Sequence, residues 1–358
     1  MQNMNNKKVP GTWQRNALIA LCAVLALILL ALVFGTAYVH SLLNKMQYVA
    51  PEEEYTMSKQ EASQQTSPDM ETIDPSSTET LPQIEDVTVP TEPPFAPVKH
   101  GSHVVNILLV GQDRREGAGE YRQRSDSMIL VSFNTSRNTI TLTSFMRDQY
   151  VVIPGYGFNK LNAAYVFGGF NLLNKTLEQN LGVFVDGNVE VDFSSFTAII
   201  EMLGGVEINL TKAEADYLNK GFGWNLVPGL NLLNGEQALN YARIREIDSD
   251  YQRSNRQRTV IISLINRYKN VPVSDMMNVL NAVLPMIRTN MTNDQILSYA
   301  GRFLPMLASA RVDSMRIPVD GTFDSGYLQL DETHQDWFQY NIDFKTNYEI
   351  LQQLFIKG

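Results

Sequence analysis

Three stretches decide the fold: Val104-Val-Asn-Ile-Leu-Leu-Val110, Met128-Ile-Leu-Val-Ser-Phe133 and Thr139-Ile-Thr-Leu-Thr-Ser-Phe145. Each is of strand length and rich in β-branched or aromatic residues. Gly111 closes the first. Between the second and third lies Asn134-Thr-Ser-Arg-Asn138, a polar turn, so those two read as a hairpin. A short extension at 151–153 ends at Pro154-Gly155. Beyond it, apolar spacing predicts helices over 161–181 and 193–203, the latter broken by Gly204-Gly205, and then a strand over 206–210. Asn234 followed by Gln237 reads as a capping box opening a helix to Arg245. Helices are expected over 250–269, 274–288 and 293–307, then a strand over 315–319 and a closing helix over 344–356. Strands mixed with helices predict an α/β domain of the α/β/α kind, with a central mixed sheet flanked by helices.

What precedes that domain differs in composition. The 358-residue chain carries a net charge of −9, unevenly placed. Residues 1–45 hold Lys7, Lys8, Arg15 and Lys45 and no acid, whereas 46–100 is strongly acidic. Ala17 to Val39 contains neither charge nor proline. At ~1.5 Å per residue it reaches roughly 35 Å, enough to cross a ~30 Å hydrocarbon layer. That is longer than the apolar part of a cleaved signal, so it reads as one retained N-terminal transmembrane helix. The basic residues before it put 1–16 in the cytoplasm as a tail and the remainder outside the cell membrane, in a single-pass arrangement. Residues 40–103, rich in Glu, Thr, Ser and Pro, are expected to be a disordered linker. Residues 104–358 then form the extracytoplasmic domain. The acidity excludes an ordinary nucleic-acid protein, and Cys22 is the only cysteine, so no disulfide forms within the chain.

Chemistry concentrates where charged residues flank the ends of elements. Asp113 follows the first strand, Arg124-Ser-Asp126 precedes the second and Arg147-Asp148 follows the third. Hairpin pairing should bring Asp126 and Arg147 together at the open end. The alternative is solvated charges capping strand ends. Farther on, Arg243, Arg245, Asp250, Arg253 and Arg256-Gln257 crowd one region. Asp250, Arg253 and Gln257 share a helical face that continues as Val260, Ile261, Leu264 and Tyr268. Charges on an inward stripe need partners. The arginines therefore form either an anion pocket, for which a planar guanidinium fork is well suited, or an internal ion-pair network. Asp113, Asp126 and Asp250 offer only oxygen ligands, which suits Mg²⁺ or Mn²⁺ bound together with phosphate.

These motifs, in this order, resemble the LytR-CpsA-Psr family of cell-wall glycopolymer transferases. The matching text is Asn106-Ile-Leu-Leu-Val-Gly-Gln-Asp113, Arg124-Ser-Asp126-Ser-Met-Ile-Leu130, Ser144-Phe-Met-Arg147-Asp148 and Lys160-Leu-Asn162-Ala-Ala-Tyr165 with Gly168-Gly169. It continues as Leu203-Gly-Gly-Val206, Gly235-Glu-Gln-Ala-Leu239, Tyr241-Ala-Arg-Ile-Arg245 and Asp250-Tyr-Gln-Arg253 with Arg256-Gln257. The resemblance implies a metal-dependent phosphotransferase. It would move a glycopolymer, such as teichoic acid or capsule, from an undecaprenyl-pyrophosphate carrier onto peptidoglycan. By the same resemblance, Asp113, Asp126 and Arg147 are catalytic. Arg124, Arg147, Lys160, Arg243, Arg245, Arg253 and Gln257 bind the pyrophosphate, and Asp113, Asp126 and Asp250 hold the metal. Two positions depart from the pattern. Met146 stands where the arginine loop usually has proline, and a shortened stretch after Arg245 makes Asp248 the alternative to Asp250. The same residues also fit a hydrolase of polyprenyl-pyrophosphate-linked glycans, or a non-enzymatic envelope regulator that binds glycan or lipid.

Overall fold

The computed structural model describes residues 37–51, 54–65, 70–73, 81–87, 101–112, 124–269 and 281–355. Residues 1–45 and 46–358 form separate compact units. Residues 17–36 of the expected anchor lie outside the described residues, and so does Asp113. Among the described residues no helix is long and apolar enough to cross a membrane.

The centre of the larger unit is a seven-stranded mixed sheet. Its strands are β1 (Gln47–Tyr48), β3 (Val104–Gln112), β4 (Ser125–Asn134), β5 (Thr139–Phe145), β8 (Gly187–Asp192), β11 (Arg288–Thr289) and β12 (Arg311–Ile317), in the order β1-β11-β8-β3-β4-β5-β12. A small second sheet holds β2 (Glu71–Thr72), β13 (Asp324–Gln329) and β14 (His334–Tyr340), and hairpins pair β6 (Tyr150–Ile153) with β7 (Gly157–Lys160) and β9 (Val206–Leu210) with β10 (Gly229–Leu233). Helices among the described residues include α1 (Lys59–Ser63), α2 (Ala163–Leu181), α3 (Phe193–Met202), α4 (Lys212–Phe222), α5 (Gly235–Arg243), α6 (Asp250–Tyr268), α7 (Asn293–Leu307) and α8 (Phe344–Phe355).

The three opening strands hold the sheet because both of its faces are apolar. Val104, Leu108 and Val110 of β3 and Met128 and Leu130 of β4 point to one side, where Leu173, Leu177 and Leu181 of α2 and Leu351 and Phe355 of α8 cover them. The alternating residues Val105, Ile129, Val131, Ile140 and Leu142 point to the other side, onto Ile261, Ile262 and Ile265 of α6 and Phe303 and Met306 of α7. Period-two alternation thus becomes two buried faces, and the α/β/α layering follows. A third cluster under β9 and β10 is closed by Ile200 of α3, Leu218 of α4, Tyr241 of α5 and Val260 of α6.

Two expectations differ from what is observed. Of the helix expected over 274–288, residues 274–280 lie outside the described residues, 281–283 are helical, and Leu284–Met286 is a 3₁₀ turn with proline in its first turn, with β11 starting one residue later. The segment 40–103, expected as a disordered linker, is ordered in several of its described stretches. Met57 and Ala62 are buried in the main core, and the Met57 N–H donates to the Phe167 carbonyl at 2.7 Å. β1 pairs with β11 and β2 with β14. A few anchors suffice to hold a polar segment when each meets an unsatisfied site. Gly169, at φ 62° and ψ −151°, interrupts α2 and frees the amides where the helix restarts. The Glu54 carboxylate accepts from the Phe170 and Asn171 N–H groups there, both at 2.9 Å. A carboxylate at a helix start is favoured by the free amides and by the helix dipole.

Candidate active site

The β4–β5 register pairs Ile129 with Ser144 and Asn134 with Thr139. Continued past the hairpin's open end, it sets Asp126 opposite Arg147, and Arg147 Nη1 lies 2.8 Å from Asp126 Oδ1. The loop carrying Arg147 and Asp148 is pinned on several sides. The Met146 N–H donates to the Ile317 carbonyl at 2.9 Å, the Asn162 N–H to the Arg147 carbonyl at 3.2 Å, and the Gln339 N–H to the Asp148 carbonyl at 2.9 Å. Fully buried Gln149 donates its side-chain amide to the Met146 carbonyl at 2.9 Å. Met146, where the resemblance expects proline, uses an N–H that proline lacks, and the loop is tied to β12 through it.

Around this pair the other charges arrive from separate elements. Asp250 opens α6, and Arg253 one turn later bonds it at 2.7 Å. Arg245, in the loop after α5, lies 3.7 Å from Asp126 and 3.9 Å from Asp250, so it bridges the two carboxylates. Asp250 is pushed up to about 6, first by burial and then by the nearby Asp148 and Asp126, with Arg147 and Arg245 opposing the rise. A cleft of about 340 Å³ is lined by Met70, Glu71, Arg147, Asp148, Asp250, Tyr327 and Trp337.

Lys160 sits beneath this floor. It is 1% exposed, and its ammonium lies 2.7 Å from Asp336 and 3.4 Å from Asp148. It therefore reaches the cleft through Asp148, which also lies 3.3 Å from Arg147 Nε. Arg124, half-buried at the start of β4, donates to Asn162 Oδ1 at 3.3 Å. Gln257 is half-buried, one turn beyond Arg253 on α6. Arg243 is exposed, and its guanidinium stacks 4.8 Å over the Phe193 ring. The arrangement thus gathers Asp126, Arg147, Arg245, Asp250 and Arg253, and gives Arg243 a different neighbour.

Position separates Asp248 from Asp250. Asp248 pairs with Arg256, which also meets Glu214 at 2.7 Å and the Ile244 carbonyl at 3.1 Å. Asp250, not Asp248, is the carboxylate in the cleft, and Arg256 is a buried structural arginine. Sequence reasoning missed Glu214, Asp336 and the role of Asp148 as a hub. Only the Arg147-Asp148 dipeptide carried any local signal. The donor chemistry suits a hard cation: Asp126 and Asp250 offer carboxylate oxygens and both lie within reach of Arg245, and burial foremost pushes Asp250 up to about 6. Among the described residues no group of three or more His, Cys, Asp or Glu side chains is arranged to hold a metal; Asp113, the third acid expected there, is outside them.

Comparison with known proteins agrees with the layout. The profile of the LytR_cpsA_psr family matches residues 51–343. The chain is 36% identical over 48% of its length to "Polyisoprenyl-teichoic acid--peptidoglycan teichoic acid transferase TagT" of Bacillus subtilis, and spans 55% of that relative. It is 32% identical over 64% of its length to "Regulatory protein MsrR" of Staphylococcus aureus, spanning 68% of that protein. The fold superposes on a solved structure of "TagT bound to LIIa-WTA" with a TM-score of 0.58 at 25% identity, over 77% of this chain and 99% of that one. The chain belongs to the LytR_cpsA_psr family.

Proposed function

We propose that this chain is a phosphotransferase that moves a glycopolymer from an undecaprenyl-pyrophosphate carrier onto peptidoglycan. The observation that carries the reading is the convergence of Arg147, Arg245 and Arg253 on Asp126 and Asp250 at the mouth of a cleft. Guanidinium groups from three separate elements meet at one cleft, and their forks match pyrophosphate oxygens. Held in place before the substrate arrives, they offset charge that shifts during transfer. An acceptor hydroxyl of peptidoglycan would bond to the glycan-side phosphorus as the bond to the lipid phosphate breaks. Polyprenyl phosphate leaves, and the hydroxyl proton passes to the carboxylates.

Asp126 and Asp250, with Asp113, would hold Mg²⁺ or Mn²⁺, which supplies charge neutralisation on the phosphate oxygens. Arg147 orients the pyrophosphate against Asp126, and buried Lys160 and Asp336 keep Asp148 and hence Arg147 in place. Residues 17–39 would anchor the chain in the cell membrane as a single span, with 1–16 cytoplasmic and the domain outside. The name of the staphylococcal relative favours a second reading, a regulator without turnover; clustering of the charges at an open cleft favours the enzyme.

Deleting the protein in its host tests the function. A transferase predicts that one wall polymer, teichoic acid or capsule, leaves the wall and appears in the medium. A wall with unchanged polymer content would contradict it.

A further inference from the structure

The cleft has a second wall unlike its charged floor. Besides Met70, Arg147, Asp148 and Asp250 it is lined by Tyr327, Trp337 and Glu71. Tyr327 and Trp337 are cross-strand partners on β13 and β14, and their rings meet edge to face with centroids 5.3 Å apart. Alternation along β14 sends Asp336 and Phe338 inward, where they are 1% and 4% exposed, and leaves Trp337 38% exposed. A large ring is thus held in a fixed orientation without being needed to fill the core. Glu71, from a segment expected to be disordered, is held against it: Tyr327 Oη donates to one carboxylate oxygen at 2.9 Å and Gln335 Nε2 to the other at 3.4 Å.

The chemistry of this wall identifies what it would take. Among the described residues lining it there is no cation, so it does not extend the phosphate site. A carboxylate among the aromatic rings makes it a poor channel for a hydrocarbon tail, since an ionised group is costly to desolvate. An exposed indole lining the cleft, next to a fixed hydrogen-bond acceptor, suits a neutral ring that is apolar on one side and hydroxylated at its edge. A pyranose has that form: its C–H face lies on the indole and its hydroxyls donate to Glu71. The cleft is near the lower end of ligand-sized pockets, with room for a diphosphate and one sugar ring rather than a polymer.

We infer that Trp337, Tyr327 and Glu71 form a saccharide subsite that holds the sugar ring adjoining the pyrophosphate. The inference rests on the pyrophosphate reading for its orientation, not for its chemistry. That sugar could belong to the lipid-linked donor or to the peptidoglycan acceptor.

The test measures binding to the full-length protein in detergent micelles, for the unmodified chain, Trp337→Ala and Trp337→Phe. Three probes are used: bare polyprenyl pyrophosphate, the same lipid carrying one N-acetylglucosamine, and a lipid-free peptidoglycan oligosaccharide. Trp337→Ala should weaken one of the two sugar-bearing probes at least about tenfold, as expected when an aromatic anchor is truncated, and leave the bare lipid unchanged. Which sugar probe weakens assigns the ring to donor or acceptor. Trp337→Phe, which keeps an aromatic face, should recover most of the loss. Binding of all three probes by Trp337→Ala at the strength of the unmodified protein overturns the subsite, and so does an equal loss on the bare lipid. If the unmodified protein fails to bind the bare lipid, the pyrophosphate reading falls, and the oligosaccharide arm still judges the subsite.

Discussion

Replacing Arg245 by alanine separates a substrate clamp from a structural tie. Its side chain is 43% exposed, and its two ion pairs are long, 3.7 Å to Asp126 and 3.9 Å to Asp250. In bulk water a pair at that distance is worth about 1 kcal/mol, and exposed pairs measure about 0–1 kcal/mol once side-chain entropy and screening are included. For a domain of this size such a loss lowers Tm by no more than about 4 °C. Catalysis should respond differently. If Arg245 closes on the pyrophosphate as charge moves between phosphates, its removal takes away one preorganised electrostatic contact. Such a contact is typically worth about 10²–10³ in rate, or roughly 3–4 kcal/mol of barrier. The assay follows release of polyprenyl phosphate from a lipid-linked donor, with melting followed by circular dichroism on the same preparation. A fall in Tm of 10 °C or more with near-normal turnover per folded molecule would refute the reasoning and make Arg245 scaffolding.

Three further outcomes follow from other residues. Arg256→Ala strips the partner from buried Glu214 and from Asp248, so it should destabilise by about 3–5 kcal/mol while the molecules that remain folded keep their turnover; a melt unchanged from the parent would contradict this. Asp250 holds its proton up to about 6 when folded but only to an ordinary carboxylate value when unfolded, so the folded state binds more protons between about pH 4 and pH 6. Stability of the metal-free protein should therefore fall as pH rises through that window, by at most about 3 kcal/mol and less for its partial exposure. Asp250→Asn should raise Tm at pH 7.5 and have little effect at pH 4.5; an equal effect at both values would show that ionisation is not the cause. For the anchor, protein extracted from membranes should retain residues 17–39 by mass, and a mature chain starting near residue 40 would remove the anchor.

The central sheet was legible because β3, β4 and β5 carry their own signal: apolar runs closed by Gly111 and by the Asn134–Asn138 turn. The same hairpin geometry placed Asp126 against Arg147, since strand register turns sequence spacing into a contact. The capping box at Asn234 and Gln237 also formed as expected. What stayed hidden depends on contacts between distant positions. Lys160 was expected to bind the pyrophosphate; its burial against Asp336, far along the chain on β14, carries no local signal. Arg256 was indistinguishable from the clamp arginines because Glu214 lies on another helix. The 46–87 segment has the composition of coil, and the order of its described stretches rests on isolated anchors such as Met57 and Glu54 that no composition average registers. The wall of Tyr327 and Trp337 comes from a hairpin, β13–β14, that sequence patterning did not identify.

The most direct measurement follows the phosphorus. Purified full-length protein is given a polyprenyl-pyrophosphate-linked glycan labelled at the glycan-side phosphate, together with Mg²⁺ and peptidoglycan. A transferase predicts label covalently joined to peptidoglycan and an equal yield of unlabelled polyprenyl monophosphate, with both products lost in Asp126→Ala. Label released as free phosphoglycan at the same rate with or without peptidoglycan would contradict transfer and make the protein a hydrolase; no release of lipid phosphate under either condition would contradict an enzyme.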